Sequence, residues 1–504
     1  MLEISKNSLN LSSSYEKTVN CFASSGDIII PDTKPDVQSV LYVDVIPIIE
    51  DTTINSEQLT ISGNVEFNVI YCSSEENPRI IRTSTLIPFK NSFEVHNLTA
   101  NSNFNISILA NSTESNVLNE RKISLKSNIC VTVSFFTDVP TEFINNIANA
   151  PNIETLSSNM TIPTISCCET IKTSVSESSI ILSSLPNIDE ILKYESKIIN
   201  EEIVVSDGKI MFKGELVITV FYTAEDKKIY SFEYAIPYSN FLDGYMASDE
   251  NYFDLTSNVN NLSIKICPDT DELMRVIEYE ATISSHICTF KNENINVISD
   301  IYSTNSLLSP KTTNVNYTMV SQKEHESISF RGVINIPENN NIHILTTLGK
   351  LKDLSINTEN EVSTLVGNVE VTIVYKVDPS GNIESSSVDM PINHVLSTRI
   401  NNISSANLLN IEATQTESGK FDIKLSMNID GNNIDTNNIN LITDIDEIEN
   451  SENTSHGIII YYPKNDDTLW KIAKKYGTTV DKLKTINAIT DSNAIVPGTP
   501  LIIN

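Results

Sequence analysis

Seven cysteines and six histidines are the side chains of this 504-residue chain best suited to holding a metal or attacking a substrate. Cys21, Cys72, Cys130, Cys167, Cys168, Cys267 and Cys288 contain no CxxC pair. His96, His286, His325, His343, His394 and His456 are dispersed, with no HExxH, no pair at i, i+4 and no cysteine at ligand spacing. This pattern predicts no metal centre. Most of the cysteines sit in alternating apolar runs, where a free thiol behaves as a small buried hydrophobe. Phosphate chemistry is equally unsupported, because Gly349-Lys350 lacks the glycine-rich cradle of a nucleotide loop. There is no Gly-x-Ser-x-Gly elbow, and the abundant acids form no repeated pair fit for glycosidic cleavage. The expectation is a protein that binds rather than catalyses, with no cofactor.

A formal charge of −31 argues against nucleic acid as partner, since phosphate neutralisation needs an excess of Lys and Arg. Met1 to Lys17 lacks the basic start and apolar run of a secretory signal, and no stretch approaches a membrane span. The expected compartment is a reducing cytoplasm.

The side chains that carry the clearest pattern lie in residues 457–504. Asp467 is placed to cap a helix in which Leu469, Ile472, Ala473 and Tyr476 form one apolar stripe. Gly477 ends it. Thr478, with Asp481 three residues on, is placed to cap a second helix, whose buried face is Val480, Leu483 and Ile486. A β-like run at Tyr461 and a closing strand at Leu501-Ile502-Ile503 complete a strand, helix, helix, strand order. Trp470 reads as helix core under the loops. With six lysines against four aspartates this tip is +2 and the remainder −33. Opposite signs suggest different partners for the two parts.

The remainder is repetitive. Gly63-Asn64-Val65-Glu66-Phe67-Asn68-Val69-Ile70-Tyr71 returns as Gly214 to Tyr222 and again as Gly367 to Tyr375. A leucine precedes each glycine by 22 residues, at Leu41, Leu192 and Leu345, and Pro88, Pro237 and Pro391 follow each tyrosine. A period of 151 and then 153 residues is a domain, not a solenoid unit. Runs of alternating β-branched and polar residues separated by Asn, Ser, Gly and Pro indicate an all-β domain of sandwich type. Short helical patches are expected at Asp36 to Tyr42 and Asn187 to Tyr194, and a local loop change near Pro337 in the third copy. Expected boundaries are 1–155, 156–305 and 306–431 for three tandem β-sandwich-like repeats, 432–456 for an acidic linker and 457–504 for the small α+β tip. The linker carries Asp435, Asp444, Asp446, Glu447, Glu449 and Glu452 without Lys or Arg and reads as an extended tether; an edge strand over Ile439 to Ile448 is the structural alternative.

On Asp467-Thr468-Leu469-Trp470, Ile472-Ala473, Tyr476-Gly477, Leu483, Asn487, Pro497-Gly498 and Leu501, the tip resembles the LysM family, with Asp466 where that family usually has glycine and Thr499 where it has Gln. The repeats, on their Pro-plus-Leu lead-in, Gly-to-Tyr strand and later proline, resemble the SPOCS domain of spore-coat proteins. Repeats in register followed by one LysM are similar to a family of spore coat morphogenesis proteins. That resemblance implies a non-enzymatic scaffold in the mother-cell cytoplasm at the outer forespore membrane, docking through its LysM end on a coat morphogenetic ATPase of the SpoIVA type. A LysM alone equally implies binding of N-acetylglucosamine-containing glycan of peptidoglycan or cortex, through the loops at Asp467 to Leu469 and Ala494 to Gly498. The expected binding surface is Asp467, Thr468, Leu469, Lys471, Lys474, Lys475, Ile495, Val496, Pro497 and Gly498. Its lysines would steer it to an acidic partner.

Overall fold

Alternation of apolar and polar residues produces strands throughout the body. The computed structural model describes residues 3–99, 102–206, 209–242, 252–336, 341–417, 419–448, 457–490 and 495–503. The first unit holds β1 (Glu3–Ile29), β2 (Val37–Asn55), β3 (Gln58–Ser73), β4 (Ile80–Glu94), β5 (Phe104–Asn119) and β6 (Lys122–Ala148). The second holds β7 (Ile153–Ile180), β8 (Ile188–Ser206), β9 (Lys209–Ala224), β10 (Ile229–Leu242), β11 (Tyr252–Pro268) and β12 (Met274–Ser303). In the third the outer strands are each split in two. It holds β13 (Leu307–Val320), β14 (Glu324–Asn335), β15 (Asn341–Glu359), β16 (Val362–Asp378), β17 (Ile383–Val395), β18 (Asn402–Glu417), β19 (Lys420–Asn432) and β20 (Ile434–Ile448).

All three share one antiparallel plan. Sheets β2-β3-β4 and β1-β6-β5 become β8-β9-β10 and β7-β12-β11, then β15-β16-β17 and β14-β19-β18 with β13-β20 as an extension. The two sheets of each unit bury their facing side chains as a sandwich. In the first, Val65, Phe67 and Tyr71 of β3 pack with Ile123, Leu125 and Ile129 of β6.

Register explains each repeated residue. Tyr71, Tyr222 and Tyr375 are buried near the ends of the central strands β3, β9 and β16. The first two donate their hydroxyls to the carbonyls of Pro35 at 2.9 Å and Pro186 at 3.0 Å. Leu41, Leu192 and Leu345 each follow the partner of that tyrosine and fall at a β-bulge, the extra residue opposite no single partner. A second bulge lies opposite Gly63, Gly214 and Gly367, where a side chain on the central strand would collide with the bulged edge strand or a neighbouring ring. Pro88, Pro237 and Pro391 face Asn64, Glu215 and Asn368, always one residue past the glycine, on edge strands β4, β10 and β17. Their variable spacing in sequence reflects hairpin length alone.

Two expectations are corrected here. Asp36 to Tyr42 and Asn187 to Tyr194 are not helical; β2 begins at Val37 and β8 at Ile188. Two bulges close together shift the alternation, so that Val37, Val40 and Leu41, like Ile188, Ile191 and Leu192, fall at the i, i+3, i+4 spacing of a helix. Residues 432–448 are not an extended tether, because Ile434–Ile448 is β20, paired with β13; the edge strand expected as the alternative over Ile439 to Ile448 is present and starts earlier. Ile439, Leu441, Ile442 and Ile445 are buried, while Asp444 and Asp446 meet Lys311 and Asp435 meets Arg399. Charges that repel in an isolated segment thus meet basic partners, Lys311 on the paired strand and Arg399 between β17 and β18. The third unit accordingly runs to Ile448; residues 449–456 and the loop at Pro337 lie outside the described residues.

The three units close around a common axis. Leu41, Leu192 and Leu348 bury together with Tyr42, Cys72 and Val374, with Leu345 packed beside them. Farther along, the outer strands of each unit form a two-stranded ribbon, and the three ribbons share one core that includes Leu9, Phe143, Ile162, Ile295, Val315 and Leu441. Next to the first of these cores, with Tyr42 and Leu348 in its wall, lies a cavity of about 2190 Å³ lined from all three units.

Candidate functional site

Tip residues form β21 (Ile460–Tyr461), α1 (Leu469–Tyr476), α2 (Val480–Asn487) and β22 (Leu501–Ile502). Thr468, not Asp467, caps α1 by accepting from the Lys471 amide, and Thr479, not Thr478, caps α2 through Lys482. Asp467 is occupied one step earlier, where its carboxylate accepts from the Tyr461 hydroxyl at 2.7 Å and the Lys464 amide at 2.8 Å. Those two donors, the amide foremost, hold its pKa below the usual carboxylate range. Gly477 ends α1 with φ +63°, a left-handed conformation glycine takes without strain. Asn487 ties α2 to β22, donating to the Ile502 carbonyl and accepting from its amide, each at 2.7 Å. Leu469, Ile472, Ala473, Leu483, Leu501 and Ile503 are the buried core.

Tyr302 of β12 belongs to that same core. Its ring meets Trp470 edge-on at 4.8 Å, and its hydroxyl donates to the Thr478 carbonyl at 2.8 Å. Asp300, at a bulge in β12, accepts from Trp470 Nε1 at 2.8 Å and Lys474 Nζ at 2.5 Å. Trp470 thus packs against the core of the tip, as its helical position implies, and also anchors the tip to the body, seating it on the end of the β7–β12 ribbon. Burial works to raise the Asp300 carboxyl, but the Lys474 ammonium and the indole N–H outweigh it and its pKa falls. Glu154 of β7 behaves oppositely, raised by burial and then by the Asp481 carboxylate.

The expected binding surface divides. Leu469 is buried and Asp467 is engaged. Lys474 is held by Asp300, so it does not lie on a free face, and Lys475 lies over the rings of Tyr461 and Tyr476 at 4.9 and 5.3 Å. Lys471 reaches back to the Asp466 carbonyl at 2.9 Å. Val496, Pro497 and Gly498 are exposed and Ile495 is half-buried; the Gly498 amide donates to the Pro463 carbonyl at 3.0 Å, closing this loop onto the one before Asp467. Ala494 lies outside the described residues. A surface that sequence reasoning missed is the outer face of the two-stranded sheet. Ile458, Ile460 and Tyr462 are 79, 54 and 61 % exposed at strand spacing, and Ile502 stands opposite Ile460. The alternation Ile458-x-Ile460-x-Tyr462 was the available signal.

The cysteines also depart from expectation. Cys21 is bonded to Cys130 and Cys168 to Cys288, which leaves Cys72, Cys167 and Cys267 outside any disulfide. Each pair faces directly across a strand ladder, which sequence spacing does not reveal. His286 lies two residues before Cys288 on the same strand face, against the expectation that no histidine stands near a cysteine. A search at helical and CxxC spacings passes over the strand period of two.

Removing Asp300 is expected to unseat the tip. Trp470 is the only tryptophan, so its emission reports docking directly. Asp300→Ala shifts that emission to the red, as the indole gains water, while the body melts unchanged. Because the Asp300 pKa is depressed, its contribution is present above about pH 3.9 and is lost as pH falls through the lowered folded value. Glu154, with a raised pKa, opposes docking once ionised. Emission should therefore be bluest in mildly acidic solution and redden below about pH 4; an emission independent of Asp300 and of acid contradicts this seat.

Three β-sandwich units ending in a seated βααβ module make up the described chain. Residues 36–118 and 187–267 match the SipL SPOCS domain, and residues 464–504 match the LysM domain. The chain is SipL-like, joining SPOCS domains to a C-terminal LysM domain, and is a sporulation-related, LysM-bearing binding protein. The third unit, outside those matches, has the same strand plan. No curated protein matches the chain. Among the described residues no helix is long and apolar enough to cross a membrane.

Proposed function

We propose that this chain is a non-enzymatic scaffold of spore coat assembly, acting on the mother-cell side of the outer forespore membrane, and that its LysM end docks on a coat morphogenetic ATPase of the SpoIVA type. The observation that carries the reading is the division of the LysM surface. Trp470 and Lys474 face the body, whereas the strip of Ile458, Ile460, Tyr462 and Ile502 is left in water. A contiguous exposed apolar strip on so small a domain marks an interaction surface. Exposed Lys464, Lys471 and Lys482 stand on the same module and add attraction for an acidic partner. The family matches support a sporulation role for the whole.

Glycan binding by the same module is the second reading, favoured by the LysM match and the exposed Val496-Pro497-Gly498 rim. A pull-down from sporulating cells with the full chain, with Tyr462→Glu and with residues 457–504 removed separates the two. Docking predicts that both changes release the ATPase. Retention of the ATPase by the truncated chain contradicts it.

A further inference from the structure

Cys168, Cys288 and His286 are clustered where three units meet, with one potential ligand atom from each within 4.8 Å of the others. Cys168 of β7 and Cys288 of β12 are direct cross-strand partners, and His286 and Thr170 are the next pair on the same face. The two sulfurs are buried with Phe290 and Val320, and Phe136, Ile165, Tyr252 and Ile434 close over them. His286 Nε2 lies 3.4 Å from Cys288 Sγ, and His286 Nδ1 is 3.0 Å from Thr170 Oγ1. With Nδ1–H donated to Thr170, the Nε2 lone pair points at the sulfur. This is the arrangement of a metal-binding imidazole, whose second nitrogen is fixed by an outer partner.

The first unit supplies a contrast. The amides of Ile30 and Ile181 donate to the carbonyls of Arg121 and Arg275, which sets the units in register. In that register Cys168 and Cys288 correspond to the paired residues Lys17 and Ser134. The fold therefore does not require a sulfur pair at this place. Cys21–Cys130, the pair of the first unit, has Asn128 where Cys288 has His286, its Nδ2 at 3.9 Å from Cys130 Sγ. A neutral amide is a poor ligand for a thiophilic ion.

We propose that Cys168, Cys288 and His286 of the reduced chain form a binding site for a thiophilic metal ion of the Zn²⁺ type, with the disulfide as its oxidised, metal-free alternative. Reduction by a phosphine adds two electrons and two protons to the S–S bond, and the phosphine leaves as its oxide with oxygen taken from water. Zn²⁺ then displaces the two thiol protons and binds two thiolates at about 2.3 Å and one imidazole at about 2.0 Å. The fourth position falls to water, since His286 and Thr170 also line the central cavity and give the ion a route in. Bound ion would cross-link β7 to β12 beside Val320 and Ile434 of the third unit, at the junction of the units.

The full chain is reduced with excess phosphine, freed of it by gel filtration without oxygen, and titrated with Co²⁺ as the optical stand-in for Zn²⁺. The expected result is one equivalent bound with a thiolate-to-cobalt band in the near ultraviolet, bleached by added Zn²⁺. The oxidised chain and Cys168→Ser should show no band, and Cys21→Ser should show it unchanged. Thr170→Val, which keeps all three ligands and the volume of the side chain, should weaken binding about 10- to 100-fold. Circular dichroism of each variant confirms that it is folded. A reduced chain without the band, or a band of equal strength in Cys168→Ser or His286→Ala, overturns the proposal.

Discussion

Leu469→Ala is expected to unfold the LysM tip while the β-body stays folded. Leu469 is 2 % exposed and packs with Ile472, Leu483, Ile503 and Tyr302. Truncation leaves a cavity that costs about 2–5 kcal/mol. A module of this size has little stability in reserve, because small domains bury a small fraction of their surface. Seating on Tyr302 and Asp300 offsets part of the loss only while the tip is folded. Thermal melting followed through Trp470 should therefore show the tip transition lost or moved far down, with the main far-ultraviolet transition in place. Exposed Thr499→Ala is the control and should leave both unchanged. Equal Trp470 melting curves for Leu469→Ala and the parent would mean that Leu469 is not core.

The second large effect is Tyr222→Ala. Tyr222 is fully buried among Ile218, Val220, Tyr238 and Tyr279, and its hydroxyl holds the Pro186 carbonyl at the entry to β8. Removing a ring of that size costs about 3–5 kcal/mol, and the second unit should melt on the order of 10 °C lower. Tyr222→Phe isolates the hydrogen bond and should cost about 1 kcal/mol. Since Leu192 of this unit lies at the axis with Leu41 and Leu348, loss of the second unit should also loosen its neighbours. Accelerated amide exchange in β2 and β15, and not only in β8 and β9, is the measurement. Exchange confined to the second unit would mean that the axis core carries no coupling.

These effects follow from residues that could be read in the sequence. Gly63, Gly214 and Gly367, with their tyrosines eight residues on, mark a central strand in each unit, because period two and a turn-bounded length leave few alternatives. The βααβ order of the tip was equally plain from its apolar stripes and from Gly477, although each helix cap lies one residue beyond the expected one. What misled were places where local pattern and tertiary pairing conflict. Paired bulges gave Val37, Val40 and Leu41 a helical spacing, and β20 hid its buried isoleucines among aspartates whose partners Lys311 and Arg399 lie far away in sequence. The seat on Asp300 and Tyr302 was invisible for the same reason, being a contact across about 170 residues. The three-unit axis and the approach of Cys168 to Cys288 depend on register between strands more than 100 residues apart, and of the sulfur–imidazole cluster only His286-x-Cys288 could be read along one strand.

That the LysM end grips a coat protein through its apolar strip is tested most directly by binding measured with the purified full chain. The chain is titrated with a purified coat morphogenetic ATPase of the SpoIVA type, and separately with chito-oligosaccharide. The account predicts binding of the ATPase that is lost on removing residues 457–504, lost in Tyr462→Glu, retained in Asp300→Ala and weakened by salt. Binding of the sugar alone, with spectral shifts confined to Asp467–Leu469 and Val496–Gly498 and no response to Tyr462→Glu, would contradict it.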